Sequence, residues 1–195
     1  MPPRRKQDHH GRRARREGYP ARSVYKLEEI DRRVGLFKKG QRVLDLGASP
    51  GSWTLYAAEK VGPSGRVLGL DLNDAEIALP PHAEIRTLDA FEADPATLGG
   101  PFDLVISDMA PKTSGQRHAD QFRSYELVMR ALELAKTVLQ PDGTFVAKIF
   151  QGAEFEEARN ALREVFGKVR IIRPKATRDE SYEVFLVGLG FREAT

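Results

Sequence analysis

Val43-Leu44-Asp45-Leu46-Gly47-Ala48-Ser49-Pro50-Gly51-Ser52-Trp53 is the stretch that decides how this chain reads. An apolar run meets a tight Gly/Pro/Ser turn, and a helix-compatible segment follows. This is the strand–turn–helix opening of a nucleotide-binding α/β sheet. Glycine in such a turn lets the backbone approach a ligand that a Cβ would strike. The turn is not a dinucleotide fingerprint, because Ser49 stands where the second glycine of G-x-G-x-x-G belongs. It is not a P-loop either, since no Gly-Lys-Ser/Thr follows. Further on, Val67-Leu68-Gly69-Leu70 ends in Asp71, where a carboxylate can accept from both hydroxyls of a ribose. A glycine turn and a ribose acid without a pyrophosphate cradle favour S-adenosylmethionine over NAD.

The chain has 195 residues, enough for one domain with a full core. No apolar run approaches membrane-spanning length, and the basic, polar N-terminus has no apolar signal core. Membrane association is therefore not expected, and a cytoplasmic location is. The absence of cysteine excludes disulfides, thiolate metal sites and base methylation through a cysteine adduct. His9, His10, His82 and His118 show no metal-ligand spacing, so no metal is expected. The net charge of +3 is uneven: residues 1–22 carry +6 and the remainder −3. Residues 1–20 are expected to be a basic arm, disordered without a partner and able to bind a polyanion. Residues 21–195 are expected to form a single domain.

From Arg42 onward, strand and helix patterns alternate. Strands are predicted at 42–46, 66–71, 83–87, 102–107, 143–149, 169–173 and 182–188. Helices are predicted at about 52–61, 121–139 and 153–166. Before them, Val24, Leu27, Ile30 and Val34 recur at helical spacing, with Ser23 placed to cap. Pro63-Ser64-Gly65, Pro80-Pro81, Gly99-Gly100-Pro101 and Pro141-Asp142-Gly143 punctuate the run. Such alternation predicts an α/β fold: a mostly parallel seven-stranded sheet with helices on both faces. Only turn-like sequence separates the last two strands, which makes one strand antiparallel. Ligands of these sheets lie beyond the carboxyl ends of the strands. The residues there are Asp45, Gly47, Asp71, Asp89, Asp108 and Lys148.

Asp108 closes the strand Phe102–Ser107 and opens Asp108-Met109-Ala110-Pro111. No aromatic follows Pro111, so the stacking platform of a base N-methyltransferase is missing. Lys148 lies inside the apolar run Thr144–Phe150, and Glu183 inside Ser181–Val187. A charge in such a strand is costly to bury and is either paired or drawn to an edge.

Five stretches together resemble the FtsJ/RlmE family of S-adenosylmethionine-dependent RNA ribose 2′-O-methyltransferases. They are Ser23–Ile30, Asp45–Trp53, Ser107–Pro111, Ala147-Lys148-Ile149-Phe150-Gln151-Gly152 and Glu183-Val184-Phe185. The resemblance spans about residues 21–192 and is strongest to members acting on large-subunit ribosomal RNA. It implies a Rossmann-like methyltransferase fold and a catalytic tetrad of Lys26, Asp108, Lys148 and Glu183. It also implies S-adenosylmethionine held by Gly51, Trp53, Asp71, Asp89 and Asp108, and the turn residues Gly47 and Pro50 are expected to line the same pocket. The turn reads Ala-Ser-Pro-Gly-Ser-Trp where Ala-Ala-Pro-Gly-Gly-Trp is common, and the lead-in is shorter and richer in arginine.

On this resemblance Lys148 takes the proton of a ribose hydroxyl, most closely a uridine 2′-hydroxyl. A free lysine, with pKa ~10.4, is mostly protonated at neutral pH. A second ammonium at ~4 Å, contributing ~4 kcal/mol at an effective dielectric of ~20, could shift that balance. Lys26 is the candidate for it, while Asp108 and Glu183 oppose the shift. Arg12, Arg13, Arg15, Arg16, Arg32, Arg33, Lys38 and Lys39 are expected to contact RNA phosphates. The expected partner is ribosomal RNA or the large ribosomal subunit, and the expected state a monomer. The alternatives are a tRNA 2′-O-methyltransferase, a non-catalytic RNA-binding assembly factor of the same fold, and a methyltransferase for a base amine or small molecule.

Overall fold

Arg42–Leu46 forms strand β1 in the interior of a seven-stranded sheet, buried except at its first residue. The structure, a computed structural model, describes residues 9–177 and 181–193. Arg4, Arg5 and Lys6 of the basic arm lie outside the described residues. The remaining strands are β2 (Arg66–Asp71), β3 (Ala83–Thr87), β4 (Phe102–Ser107), β5 (Leu139–Phe150), β6 (Phe166–Ile172) and β7 (Glu183–Phe191). Their spatial order is β3-β2-β1-β4-β5-β7-β6. The pairs from β3 to β5 are parallel, and β7 runs antiparallel to both β5 and β6. The antiparallel strand expected from the sequence is thus β7, inserted between β5 and β6.

The helices are α1 (His9–Arg16), α2 (Val24–Val34), α3 (Ser52–Val61), α4 (Arg117–Val138) and α5 (Phe155–Val165). Strand residues alternate between two cores, as the pleat requires. Val43, Val67, Leu104, Ile106, Val146, Phe185 and Val187 face α1, α2 and α3. Leu44, Leu68, Val105, Phe145, Ala147 and Leu186 face α4 and α5. In α2 the apolar spacing buries Val24, Leu27 and Ile30 against the first core. Each fully buried Leu or Ile contributes roughly 1.5–3 kcal/mol. The helix stops at Gly35, whose left-handed backbone donates its N–H to the Asp31 carbonyl at 2.6 Å.

Three local expectations are corrected. Ser23 precedes α2, but its backbone is helical and its side chain makes no capping bond. Its carbonyl instead accepts the indole N–H of Trp53 at 3.0 Å. Pro141-Asp142-Gly143 does not separate helix from strand: α4 runs directly into β5, and the triplet sits in a register irregularity against β4, with Asp142 at φ 63°. Residues 9–16, expected to be disordered, form α1. Only Ala14 of that helix is buried. Polar contacts hold the rest: Arg13 Nε donates to Glu17 at 2.7 Å, its guanidinium lies 4.4 Å from the Tyr25 ring centroid, and Tyr25 Oη donates to Glu17 at 2.8 Å. Tyr19, just beyond, donates to Glu59 of α3 at 2.5 Å.

Candidate active site

The carboxyl ends of β1, β2, β4 and β5 are knitted together by main-chain bonds. Gly47 and Ala48 donate to the Leu70 carbonyl at 2.9 and 3.1 Å, and Asp108 donates to the Leu46 carbonyl at 3.2 Å. Ser107 stands opposite Ala147, so Asp108 and Lys148 are the next residues along neighbouring parallel strands. Lys148 Nζ donates to Asp108 Oδ1 at 2.9 Å and to the Asp108 main-chain oxygen at 2.6 Å. The lysine side chain is only 7% exposed. Buried that deeply, a cation requires such partners.

Lys26 of α2 forms an ion pair with Glu183, the first residue of β7. Thr177 Oγ1 donates to the same carboxylate at 3.3 Å. In the β5–β7 ladder Lys148 faces Phe185 and Phe150 faces Glu183. Lys148 and Glu183 are therefore diagonal neighbours on the face covered by α2 and α3, a relation that separates residues by about 7–8 Å. The four charged residues thus meet as two linked pairs. Each ammonium has its own carboxylate, so the expected role of Lys26 as a cation against Lys148 is not what the ion pairing shows.

A cleft of about 670 Å³ opens beside this cluster, and Gly47, Asp71, Asp89 and Asp108 line it. Its walls are largely apolar, from Leu70, Leu72, Leu88, Phe91 and Met109. This size and character suit a nucleoside-sized ligand. Asp71 is held in the turn by the Ser49 N–H at 3.0 Å and by Asn73 N and Nδ2 at 2.8 and 3.0 Å. A carboxylate offers about four lone-pair sites, so acceptor capacity remains. Asp89 accepts the Phe91 N–H at 2.8 Å. Gly47 has φ +79°, and a Cβ there would lie 2.9 Å from the Met109 nitrogen and 3.0 Å from its Cα. The turn is therefore built for glycine, and the residues at its rim fit S-adenosylmethionine.

Pro50, Gly51 and Trp53 do not line the cleft. Trp53 is buried in the core under α2, its ring 5.7 Å from that of Phe185. Its contribution is to lock α2, and so Lys26, over β7. Gly51 starts α3 at φ +106°, and a Cβ there would collide with Ile77.

The basic residues divide. Arg13 is committed to Glu17 and Tyr25, and Arg33 to Glu29. Arg12, Arg15, Arg16 and Arg32 are exposed on α1 and α2. Lys38 and Lys39 line a second, polar cleft with Gln41, Asp103 and Gln140. Asp103 lies near the start of β4 and Asp108 just past its end. Those two lysines are therefore at the opposite end of the sheet from Lys148, away from the expected RNA path.

Lys112, Asp120 and Arg123 escaped the sequence reading. Lys112 and Arg123 line the first cleft. Asp120, buried at the start of α4, accepts from Ser114 N and Oγ, both at 2.9 Å. The Ser114 N–H, with help from its hydroxyl, holds the Asp120 carboxyl below the usual carboxylate range. Asp45 is fully buried beneath the glycine turn, where its Oδ2 accepts from Thr54 Oγ1 at 2.7 Å and its Oδ1 has no partner among the described residues. Burial pushes its pKa up to about 7, Thr54 pulls down, and the charges of Asp108 and Asp71 push up further.

Among the described residues no cluster of His, Cys, Asp and Glu could hold a metal ion, and no helix is long and apolar enough to cross a membrane. A seven-stranded Rossmann-like sheet with one antiparallel strand, acids ending β2 and shortly following β3, and a lysine on β5 define a methyltransferase class of α/β protein. Residues 19–191 match the FtsJ-like methyltransferase family, and the chain belongs to that family. It is 54% identical over 178 residues to the ribosomal RNA large subunit methyltransferase E of Sorangium cellulosum, covering 90% of this chain and 84% of that protein. It is 50% identical over 190 residues to the enzyme of the same name from Oleidesulfovibrio alaskensis, covering 95% and 92%. A solved structure described as a ribosomal RNA methyltransferase from Plasmodium falciparum shares the fold: TM-score 0.78, 22% identity, 90% of this chain and 100% of that one.

Proposed function

We propose that this enzyme methylates the 2′-hydroxyl of a ribose in large-subunit ribosomal RNA, at a uridine, using S-adenosylmethionine. When bound, the cofactor supplies a methyl group already activated by its sulfonium. The protein's tasks are then to orient one hydroxyl and to manage its proton. Asp71 and Asp89 are the acceptors for the polar edges of the cofactor, Gly47 lets the main chain approach it, and Asp108 reaches its reactive end. Lys148 is the residue for the hydroxyl. Two of its ammonium hydrogens are directed to Asp108, which leaves one direction for a substrate oxygen. In its neutral form the same nitrogen accepts the hydroxyl proton. Glu183 and Lys26 orient the ribose beside it.

The observation that carries this reading is that one residue, Asp108, both lines the cleft and holds Lys148. The relatives' names point the substrate toward ribosomal RNA, and exposed Arg15 and Arg16 on α1 suit its phosphates. The test is methyl transfer from labelled cofactor to large ribosomal subunits, to naked ribosomal RNA and to tRNA, followed by alkaline hydrolysis. Label in an alkali-resistant dinucleotide of ribosomal RNA is expected. Label on a base, or on tRNA alone, would displace the proposal.

A further inference from the structure

The first turns of α4 and the entry to β7 carry an aromatic and cationic surface that the chemistry above does not use. Tyr182 immediately precedes Glu183. Its ring meets Phe150 edge-on, with centroids 4.9 Å apart and planes at 71°. The Arg117 guanidinium carbon lies 5.1 Å from the centroid of the same ring. The main chain here is anchored: Gln151 donates its N–H to the Tyr182 carbonyl at 2.9 Å, and Gln121 Nε2 donates to the Gln151 carbonyl. The Tyr182 ring is therefore contacted from β5 and from α4, one residue from the Lys26–Glu183 pair. Phe122, in the second turn of α4, is 47% exposed, with the Tyr125 ring 6.1 Å away. Arg123 and Lys112 stand at the adjoining cleft. Of the nearby carboxylates, Asp120 is engaged by Ser114 and lies 3.6 Å from the Arg123 guanidinium, whose side chain stays half exposed; Glu157 is engaged by Tyr125, and Glu126 lies on the cleft side.

Planar rings interleaved with cations beside a ribose-directed site match one chemistry above others. Unpaired RNA is read by splaying bases onto aromatic and guanidinium planes. Stacking of this kind tolerates any base, because every base has a π face. We propose that Tyr182, backed by Phe150 and Arg117, is a stacking platform for an unpaired RNA base flanking the target ribose. Phe122 offers a second face, and Arg117, Arg123 and Lys112 neutralise the neighbouring phosphates. This rests on RNA being the substrate, and it adds that the target segment is held single-stranded.

The test uses the full-length protein and a short RNA carrying one 2-aminopurine, both single-stranded and annealed into a duplex. Wild type should quench the probe on binding the single strand. Tyr182→Ala and Phe122→Ala should each weaken single-strand binding by roughly tenfold and reduce the quenching. Tyr182→Phe should retain both, and duplex binding should be the same for all four proteins. Phe122 is exposed, so its variant guards against a folding defect in Tyr182→Ala. Unchanged single-strand affinity in both alanine variants overturns the platform. So does an equal loss for single strand and duplex. Methyl transfer by wild type is read separately: its failure on every RNA would sink the substrate reading, while the quenching still decides the platform.

Discussion

Lys148 Nζ is bonded twice to one residue, Asp108, through the side chain at 2.9 Å and the main chain at 2.6 Å. The main-chain bond persists whatever the charge on the carboxylate. The lysine is thus positioned by the backbone at the end of β4, and its place does not depend on side-chain rotamers alone.

Replacing Lys148 with alanine should lower the rate of the chemical step by roughly 10²–10⁴. Cofactor affinity should change little, because Lys148 does not line the cleft. Lys148→Arg should not restore the rate, since guanidinium cannot lose its proton at working pH. Single-turnover rates of wild type and the two variants, measured at one pH with saturating cofactor, check this. Near-normal turnover in the alanine variant would remove this residue from the reaction.

Asp45 gives the protein a pH-dependent stability of unusual sign. Its folded pKa, about 7, lies above the usual carboxylate value of about 3.9. Between those values the folded state binds more protons than the unfolded one, so this group's contribution falls as pH rises. It is fully favourable below about pH 4 and lost above about pH 7, a swing on the order of 4 kcal/mol. Asp45→Asn keeps an acceptor for Thr54 and has nothing to ionise. Its stability relative to wild type should increase from pH 5 to pH 8 in urea titrations; a constant difference would show that Asp45 does not titrate there.

The Lys26–Glu183 pair is mostly buried, with side chains 14% and 12% exposed. Removing either partner leaves a charge with no counter-ion, at a cost of roughly 3–5 kcal/mol. Lys26→Met and Glu183→Gln together should be less damaging than the sum of the two. A coupling of about 0.5–3 kcal/mol is expected from the calorimetric double-mutant cycle. Strict additivity would mean that the two groups do not interact in solution.

Gly47→Ala should both destabilise the fold and weaken cofactor binding. The residue has φ +79°, and its Cβ would press on the Met109 main chain at 2.9 Å. Backbone strain alone costs about 1–3 kcal/mol. Gly18→Ala is the control, because Gly18 has φ +84° but a Cβ there would meet nothing within 4 Å among the described residues. Equal melting-temperature losses in the two variants would show that the crowding at Gly47 is relieved by relaxation.

Arginines on α1 should separate into two groups. Arg15→Gln and Arg16→Gln should make the dependence of RNA affinity on salt shallower. The log–log slope should drop by about 0.7 for each phosphate of single-stranded RNA that is no longer neutralised. Arg13→Gln should instead lower thermal stability, through its bonds to Glu17 and its stacking on Tyr25. A slope indifferent to Arg15 and Arg16 would take α1 off the RNA path.

The sheet was legible because its strands are short apolar runs stopped by Gly and Pro, and each candidate site residue sits at such a stop. Asp71, Asp89 and Asp108 could be nominated for that reason, and all three line one cleft. Partner choice was not legible. Nothing local in Ser23–Val34 says that Lys26 pairs with Glu183, a contact set by α2 packing across β7. Trp53 read as cofactor-facing from its motif but is turned into the core, where its indole N–H meets Ser23. Helix α1 was missed because it buries one alanine and is otherwise held by an arginine on a tyrosine ring, which no hydrophobic period reveals. The position of Lys38 and Lys39 was not legible, because charge density in sequence carries no information about which end of a sheet it decorates.

Strand β7 lies between β5 and β6. Until it arrives, β5, the bearer of Lys148, is a bare edge, and β6 has no neighbour to bond. Glu183 enters with the same strand. A nascent or nicked polypeptide lacking that insertion would have a cofactor-shaped hollow but would lack Glu183, and Lys26 would have lost its carboxylate. Competence for chemistry and closure of the sheet are therefore one event, and damage to β7 should silence the enzyme before it empties the nucleoside cleft.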